Sequence, residues 1–224
     1  MRSVWLFAAL VFIATDWLAL WRERPAVNYL TKPLALLFLL VWFWASAGRS
    51  WTSFWFMLGF CFSLAGDGFL LLSPRYFNFG LAAFLLAHLS YVAGLADGAS
   101  LLSWRFGVAA LAVTVLGIVS TSRLFKAVRT NSVHRKMTLP IILYAAAIGA
   151  MLLLAIWTLF RPEWPSDSAA LVASGAALFY FSDLYLAYDR FVRPMQNARL
   201  MVRITYHLGQ LALAAGVILT TTAG

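Results

Sequence analysis

Apolar stretches long enough to cross a membrane recur eight times along this chain, and they limit the folds that it can adopt. A segment in lipid must satisfy its backbone hydrogen bonds within itself, so it forms a helix, and about 20 mostly apolar residues span the hydrocarbon core. The composition agrees, because 63% of the residues are hydrophobic and 11% are charged, against about 25% charged residues in soluble domains. We predict an all-α, polytopic membrane protein in which eight transmembrane helices form one bundle, with residues 1–224 as a single domain. The predicted helices are 4–20, 32–47, 53–72, 78–96, 104–120, 138–160, 168–188 and 202–222.

The first two predicted helices differ from an ordinary membrane span. Arg2 followed by an apolar run is typical of a signal peptide, but no small-residue cleavage site follows it, and we interpret the segment as a retained first helix. The stretch 32–47 is short for a membrane span, so we expect flanking residues to extend it. Pro25 and Pro33 are expected to bracket the loop between these two helices.

Basic residues fall mainly on one side of the predicted bundle. Of the 17 Lys and Arg residues, 13 follow predicted helices 1, 3, 5 and 7, and the remaining four lie on the other side. The positive-inside rule therefore places the richer side in the cytoplasm and both termini outside it, in the inner membrane if the cell is bacterial. We attribute the net charge of +9 to contacts with anionic lipid headgroups, and we expect no nucleic-acid partner. The residues of the richer side are Arg22, Arg24, Lys32, Arg75, Arg123, Lys126, Arg129, Arg135, Lys136, Arg190, Arg193, Arg199 and Arg203.

Two aspartates, Asp67 and Asp183, lie inside apolar stretches of spanning length. A charged group within a bilayer costs at least a few kcal/mol, so it normally faces a protein interior and serves a function. Each aspartate lies six residues before the expected end of its helix, near Ser73 and Asp189, which corresponds to roughly 9 Å along the axis. We therefore expect the two carboxyl groups to lie at one depth and to face each other across one cavity.

Further polar residues are predicted to lie near this depth. Helical spacing places small residues such as Gly66 next to the aspartates, and it groups polar side chains on one face of helices 4 and 8. The pattern predicts a polar pocket with apolar walls that opens toward the cytoplasm. Asp16 and Asp189, at helix ends, are instead expected to form ion pairs with loop arginines. The candidate substrate-binding residues are Lys32, Asn78, His88, Tyr91, Ser182, Tyr206, His207 and Gln210.

The residues by themselves leave several functions open. Each aspartate can be a structural pin that binds a neighbouring helix, and His88 and His207 can be satisfied core histidines. Intramembrane Asp and His residues are also typical of proton-coupled transporters of a lipid or small molecule, although no convincing inverted repeat is present. An aspartyl intramembrane protease also pairs two aspartates, but Ala65-Gly66-Asp67-Gly68 lacks the Gly-x-Gly-Asp pattern. No metal motif is present, and the single cysteine, Cys61, excludes an internal disulfide.

A set of short motifs, taken in order, resembles a known family. In chain order these motifs are Lys32-Pro33, Ala65-Gly66-Asp67, Phe79-Gly80-Leu81 with Phe84-Leu85, His88 and Tyr91, then Phe181-Ser182-Asp183, and Tyr206 with Gln210. Their order and spacing resemble the YhhN/TMEM86 family from Lys32 to Gln210, with Gly209 where the family more usually has alanine. The resemblance implies an eight-helix membrane enzyme, a lysoplasmalogenase. Such an enzyme hydrolyses the vinyl ether bond of lysoplasmenylethanolamine or lysoplasmenylcholine to a fatty aldehyde and glycerophosphoethanolamine or glycerophosphocholine.

The resemblance also implies roles for individual residues. The family's two acidic positions fall on Asp67 and Asp183, which are expected to act as general acid and general base. Desolvation and mutual repulsion are expected to keep a proton on one carboxyl group while the other stays ionised. No metal or organic cofactor is expected, and the expected partners are the lysophospholipid substrate and the bilayer, with no obligate protein partner. The residues expected to hold the lysolipid phosphate are Lys32, Arg190, Arg193 and Arg203.

Overall fold

The structure, a computed structural model, describes residues 2–132 and 134–222, and every regular element within them is helical. Eight helices in this part of the chain are long and apolar enough to cross a membrane, which confirms the prediction of an all-α, polytopic membrane protein. That residues 1–224 form a single domain stays a prediction. The long helices are α1 (Arg2–Trp21), α2 (Pro25–Ser46), α3 (Trp51–Leu71), α4 (Phe77–Ala96), α5 (Trp104–Thr130), α6 (Thr138–Trp157), α7 (Ser166–Phe191) and α8 (Ala198–Thr222). Single 3₁₀ turns cover Pro74–Tyr76, Arg135–Met137 and Thr158–Phe160.

The bundle is built from helical hairpins. The pairs α1–α2, α3–α4 and α7–α8 make the most extensive contacts, as short loops between antiparallel neighbours require. α6 packs against both α4 and α7, and α8 contacts α1, α2 and α3. α5 lies at the periphery, since Thr121, Leu124 and Val128 are the only buried residues within Trp104–Thr130. We call the end of the bundle at which α1, α3, α5 and α7 finish the basic end, because the 13 basic residues named above lie toward it.

α2 is longer than the sequence suggested, because it begins at Pro25 rather than at residue 32. A proline is well tolerated at the first helical position, where its missing N–H would have had no partner. Pro33 lies inside the helix, where the N–H that it lacks would have bonded to the carbonyl of Tyr29. The prediction that the two prolines bracket a loop is therefore wrong, whereas the expected extension of this helix is confirmed. Lys32 consequently lies within the helix rather than at its start.

α5 also continues beyond its apolar stretch, to Thr130 instead of residue 120. The added turns carry Arg123, Lys126 and Arg129, all of them exposed. Hydropathy marks the apolar part of a helix but not the place where the helix ends, because charged residues continue a helix as readily as apolar ones. The basic end of the bundle is thus partly helical rather than formed by loops.

Glycines bring α7 and α8 into close contact. A Cβ atom on Gly175 would lie 2.9 Å from the carbonyl oxygen of Gly209, and a Cβ on Gly209 would lie 3.0 Å from the carbonyl oxygen of Gly175. Larger side chains at these positions would push the two backbones apart, which is why small residues are enriched where membrane helices meet. The contact sets the position of Asp183 on α7 relative to Tyr206 on α8.

Candidate functional site

Asp183 on α7 is held by a tyrosine and a histidine from two other helices. The hydroxyl of Tyr144 on α6 donates to Asp183 Oδ2 at 2.5 Å, and His88 Nε2 on α4 lies 3.0 Å from the same oxygen. His88 Nε2 also lies 3.0 Å from the Tyr144 hydroxyl, so the three polar groups form a closed triangle. The His88 side chain is fully buried, whereas that of Asp183 is 14% exposed. A bound molecule can therefore reach Asp183 but not His88.

Asp183 and Tyr144 line an apolar cavity whose walls come from α3, α4, α5, α6 and α7. The cavity encloses about 710 Å³, including the open space at its mouth. Among the described residues that line it, Asp183 alone carries a charge. An apolar cavity of this kind can hold a hydrocarbon chain beside the Asp183 carboxyl group, which is able to donate and accept protons. Its apolar walls include Leu81, Phe84, Leu124, Ile148 and Leu184.

Asp67 on α3 is enclosed and ion-paired. Lys32 Nζ on α2 lies 2.7 Å from Asp67 Oδ1, and the hydroxyl of Tyr206 on α8 donates to Oδ2 at 2.9 Å. Asp67 is 1% exposed and does not belong to the walls of the apolar cavity. These contacts of Asp67 join α2, α3 and α8. Loss of either charge of the ion pair would leave the other buried and uncompensated.

A third carboxylate, Asp16 on α1, is also fully buried. Arg203 Nη1 donates to Asp16 Oδ2 at 2.8 Å, and the Thr31 hydroxyl donates to Oδ1 at 2.7 Å. The sequence predicted an ion pair between Asp16 and a loop arginine; the structure has the ion pair, but its arginine belongs to α8. The corresponding prediction for Asp189 is wrong, since within residues 2–132 and 134–222 its carboxylate forms no ion pair and accepts a hydrogen bond from the Met195 backbone N–H.

Aromatic rings connect the Asp67 and Asp183 clusters. Tyr206, which binds Asp67, packs edge-on against Phe179 with the ring centroids 5.3 Å apart. Phe179 packs in turn against His88 at 4.9 Å, and His88 contacts Asp183. The two carboxyl groups thus do not line one cavity: Asp183 lines the apolar cavity, whereas Asp67 is buried and is not part of its lining.

The two aspartates also differ in their distance from the helix ends. α3 ends at Leu71, four residues after Asp67, and α7 ends at Phe191, eight residues after Asp183. These separations correspond to roughly 6 Å and 12 Å along the helix axes. The expectation of equal distances is wrong, because α7 extends past its apolar stretch and α3 stops short of Ser73.

A second cavity, which we call the charged cavity, lies at the basic end and adjoins the apolar one. It encloses about 890 Å³, including open space at its mouth. Leu70, Phe77 and Leu186 line both cavities, so a molecule that enters one is in contact with the wall of the other. Its charged lining residues are Lys32, Asp189, Arg190, Arg199 and Arg203.

Three of the predicted binding residues form hydrogen bonds between helices instead of lining either cavity. The Tyr91 hydroxyl donates to Gln210 Oε1 at 2.9 Å and lies 3.5 Å from the Ser63 hydroxyl. The Ser182 hydroxyl donates to the carbonyl oxygen of Val202 at 3.0 Å. Tyr91, Ser182 and Gln210 are all buried, and their contacts join α3, α4, α7 and α8.

The remaining predicted residues are dispersed. His207 is 2% exposed, and its Nδ1 accepts a hydrogen bond from Trp17 Nε1 at 3.1 Å. Asn78 is exposed in the first turn of α4 and lines neither cavity. Arg193, expected to hold a phosphate, is likewise exposed and outside both cavities. Of the predicted binding residues, Lys32 lies at the charged cavity, His88 beside Asp183, and Tyr206 beside Asp67.

Tyr144 is the site residue that the sequence analysis missed. It is the only hydroxyl-bearing residue between Leu139 and Trp157, in a helix that is otherwise almost entirely apolar. Its position as a single polar residue in an apolar stretch could have identified it as a site residue. Tyrosine is common at membrane interfaces, however, so it is less unusual in a predicted span than a charged residue is. Among residues 2–132 and 134–222, no group of three or more His, Cys, Asp or Glu side chains is arranged to hold a metal ion.

Curated proteins with known names are similar to this chain over most of its length. Lysoplasmalogenase TMEM86B of Rattus norvegicus is 30% identical over 215 residues, which cover 93% of this chain and 82% of the rat protein. Lysoplasmalogenase TMEM86A of Homo sapiens is 29% identical over 165 residues, which cover 72% of this chain and 64% of the human protein. The membrane protein YhhN of Escherichia coli O157:H7 is 26% identical over 221 residues, 96% of this chain and 100% of that protein. No solved structure matches the chain.

The comparison with protein families agrees with the motifs. The sequence model of the YhhN family matches residues 27–217, a range that includes Asp67, Asp183 and Tyr144. The match covers seven of the eight helices entirely or in large part. This integral membrane protein therefore belongs to the YhhN family, as the resemblance of its motifs implied.

Proposed function

We propose that the protein hydrolyses the vinyl ether bond of lysoplasmalogens to a fatty aldehyde and glycerophosphoethanolamine or glycerophosphocholine. Its relatives in rat and human are named lysoplasmalogenases, which supports this reaction for the chain. The observation that carries the proposal is the Asp183 carboxyl group, which lies at the wall of an apolar cavity with Tyr144 and His88 bound to it.

The reaction needs a proton, a water molecule and a place for a hydrocarbon chain. Protonation of the vinyl β-carbon uses the π electrons to form a C–H bond and leaves an oxocarbenium ion. Water adds to this cation, and the resulting hemiacetal collapses with cleavage of the bond between carbon and the glycerol oxygen. A general acid is therefore needed first and a general base second. One carboxyl group can act in both steps, because it is a carboxylate once it has given up its proton.

Asp183 supplies both roles in the proposed mechanism. Protonated at Oδ1, it gives this proton to the β-carbon, and the carboxylate that remains stabilises the neighbouring oxocarbenium ion in the apolar cavity. The carboxylate then takes a proton from the attacking water, which restores the acid. Tyr144 donates to Oδ2 throughout, and Tyr144 and His88 together fix the orientation of the carboxyl group. The hemiacetal hydroxyl loses its proton as the departing glycerol oxygen gains one, so the reaction consumes one water molecule.

Asp67 has a positioning role in this mechanism. Its carboxylate binds Lys32 and Tyr206, and Lys32 lines the charged cavity. These contacts support a carboxylate that holds a lysine in place rather than one that exchanges protons with a substrate. We thus replace the acid–base pair expected from the family with one catalytic carboxyl group, Asp183, and one positioning carboxylate, Asp67.

We also propose that the basic end faces the cytoplasm. Both termini then lie on the non-cytoplasmic side, both cavities open toward the cytoplasm, and in a bacterial cell the protein lies in the inner membrane. The uneven distribution of the 17 Lys and Arg residues supports this orientation.

The test is an assay of aldehyde release from purified protein in detergent. With lysoplasmenylethanolamine, we expect one fatty aldehyde for each glycerophosphoethanolamine formed. A 1-alkyl lysolipid of the same chain length is the matched control, because it has no π electrons to accept a proton and should remain intact. Absence of aldehyde from ethanolamine and choline substrates alike would contradict the proposed function.

A further inference from the structure

The charged cavity contains two cations that are already neutralised by buried carboxylates. Lys32 Nζ lies 2.7 Å from Asp67, and Arg203 Nη1 lies 2.8 Å from Asp16. Both aspartates are at most 1% exposed. These two pairs therefore add little net charge to the cavity, and its selectivity depends on the other charged residues.

Two arginines of the charged cavity have no carboxylate partner within residues 2–132 and 134–222. The Arg190 guanidinium lies 3.6 Å from the centre of the Phe77 ring, and Phe77 lines both cavities. A guanidinium stacked on a ring keeps its N–H donors in its own plane, where they can still bind an anion. Arg199 is exposed in the first turn of α8. Both arginines are thus available to an anion, and Arg190 lies where the cavities adjoin.

The same cavity holds one negative charge, on Asp189. Its Oδ1 accepts a hydrogen bond from the Met195 backbone N–H at 2.8 Å, which fixes the carboxylate at the cavity wall. In the described part of the chain, neither Arg190 nor Arg199 forms an ion pair with it. A site for a simple anion gains nothing from such a carboxylate, which would repel the ligand.

We propose that the charged cavity binds a zwitterionic phospholipid headgroup, with Arg190 and Arg199 on the phosphodiester and Asp189 on the ammonium group. This inference rests on the proposed function and assigns the residues that recognise the headgroup of its substrate. The cavity offers unpaired charges of both signs, as such a headgroup requires, and guanidinium groups suit phosphate oxygens. Since Leu70, Phe77 and Leu186 line both cavities, the headgroup and the alkenyl chain of one molecule can be bound at once.

The decisive experiment compares two alkenyl lysolipids, one with an ethanolamine headgroup and one that ends in a bare phosphate. In Asp189→Asn, we expect KM for the ethanolamine lipid to rise about tenfold, the effect of losing one charge-assisted contact. The value of kcat should stay within about twofold, and KM for the phosphate lipid should not rise, since that lipid has no ammonium group. Asparagine can still accept the Met195 hydrogen bond, so the wall of the cavity is kept.

Matched variants separate this site from general effects of charge. Arg199→Gln should raise KM for both lipids, because both carry a phosphate. Arg193→Gln, at the same end of the bundle but outside both cavities, should leave both KM values unchanged. Asp167→Asn changes an exposed aspartate in the first turn of the same helix, α7, and should leave the ratio of the two KM values unchanged.

A binding measurement decides the headgroup site even without turnover. Lysophosphatidylethanolamine with an ester-linked chain should raise the Tm of the wild-type protein more than lysophosphatidic acid does, and Asp189→Asn should remove the difference. If the wild type cleaves alkenyl lipids but Asp189→Asn keeps the wild-type headgroup preference, the inference is overturned and the proposed function stands. If no alkenyl lipid is cleaved, the proposed function fails, and the Tm difference alone supports or overturns the site.

Discussion

Asp16, Asp67 and Asp183 are all carboxylates within the helical bundle, but their partners suit them to different roles. Asp16 contacts Arg203 and Asp67 contacts Lys32, so each is one half of a buried ion pair. Asp183 instead contacts a tyrosine and a histidine, and it alone of the three lines the apolar cavity. The cations of Lys32 and Arg203 neutralise Asp67 and Asp16, whereas the partly exposed Asp183 carboxyl group lies within reach of a bound molecule. These contacts favour Asp183 as the catalytic carboxyl group of the proposed reaction.

Replacement of Asp183 by asparagine tests this assignment. Asparagine keeps the size and hydrogen-bonding reach of the side chain but cannot cycle a proton. We expect Asp183→Asn to lose about 10²–10⁴-fold in kcat, the usual range for a general acid or base. Its Tm should stay close to that of the wild type. Both quantities are measured on one preparation, and a stable Asp183→Asn that keeps normal aldehyde release would rule out the mechanism.

Loss of the Tyr144 hydroxyl should also slow the reaction. Tyr144→Phe removes the donor to Asp183 Oδ2, and we expect kcat to fall roughly 10–100-fold, since charge-assisted hydrogen bonds contribute about 1.5–3 kcal/mol. KM should change little, because the ring still fills its place in the cavity wall. Tyr180→Phe is the control: Tyr180 lines the same cavity, but its hydroxyl lies 2.5 Å from the Ser120 hydroxyl. Equal losses in the two variants would refute a specific role for Tyr144.

Asp67 should matter first for stability. Asp67→Asn leaves the Lys32 ammonium group buried without a counter-charge, and losing one partner of such a pair costs about 3–5 kcal/mol. We therefore expect a clearly lower Tm in detergent. The double variant Lys32→Met with Asp67→Asn removes both charges and should recover much of the lost stability. A double variant that is no more stable than Asp67→Asn would show that the ion pair does not carry the effect.

The sequence identified those residues of the clusters that are unusual in an apolar helix, and it did not identify the others. Asp67, Asp183 and Lys32 were identified because a charge in a membrane span needs a protein partner. Asn78 was grouped with the pocket on helical spacing, yet the structure exposes it, because the first turn of α4 lies at the end of the bundle. Tyr144 was missed, because only the packing of α6 against α4 and α7 brings its hydroxyl to Asp183.

At the scale of helices, the contact between α7 and α8 controls the geometry of the site. These two helices have the most extensive interface in the bundle. α7 carries Asp183 and Phe179, and α8 carries Tyr206, which binds Asp67 and packs against Phe179. Small shifts of one helix against the other would change the shape of the cavities. Glycines at the crossing, Gly175 and Gly209, fix the separation of the helices.

An alanine at Gly175 tests that contact. Its Cβ would lie 2.8 Å from the Leu213 nitrogen and 2.9 Å from the Gly209 oxygen, and both of these are backbone atoms that cannot swing aside. We expect Gly175→Ala to destabilise the protein by about 1–3 kcal/mol, the usual effect of overpacking, seen as a lower Tm. Gly117→Ala is the control, because no atom outside its own helical backbone lies within 4 Å of a Cβ there. A Gly175→Ala variant as stable as Gly117→Ala would contradict the close packing.

Helix existence followed from the sequence, but helix ends did not. All eight apolar stretches are helical, since a segment in lipid has no other way to pair its backbone groups. α2 and α5 are longer than their apolar stretches, at Pro25–Ser46 and Trp104–Thr130. In these two helices the extra turns carry polar or basic residues such as Asn28 and Lys126, which a search for apolar stretches leaves out.

At the scale of the whole molecule, the buried aspartates and both cavities are concentrated toward one end. The three ion-paired or hydrogen-bonded aspartates and both cavities involve the ends of α1, α3 and α7 and the starts of α2, α4 and α8. Most of the basic residues belong to the same end. The proposed headgroup site and the proposed chain site therefore lie at the same end of the bundle.

Topology reporters test the proposed orientation of the molecule. Fusions at Gly224 and within the loop between α4 and α5 should report a non-cytoplasmic position, whereas fusions between α5 and α6 should report the cytoplasm. The reason is the positive-inside rule, which depends on Lys and Arg in short loops. A cytoplasmic signal from the fusion at Gly224 would reverse the orientation and with it the side from which the cavities are reached.

The sequence by itself determined the class of fold, the number of helices, the family and the identity of the unusual charged residues, because each depends on local composition and order. Only the tertiary structure decided which charges pair, since Arg203 and Asp16 are 187 positions apart. It also gave the two aspartates different partners, because Asp67 meets Lys32 and Tyr206, whereas Asp183 meets Tyr144 and His88. Contacts of this kind depend on how helices turn and approach one another, and helical periodicity fixes the face of a residue but not the neighbour that it meets.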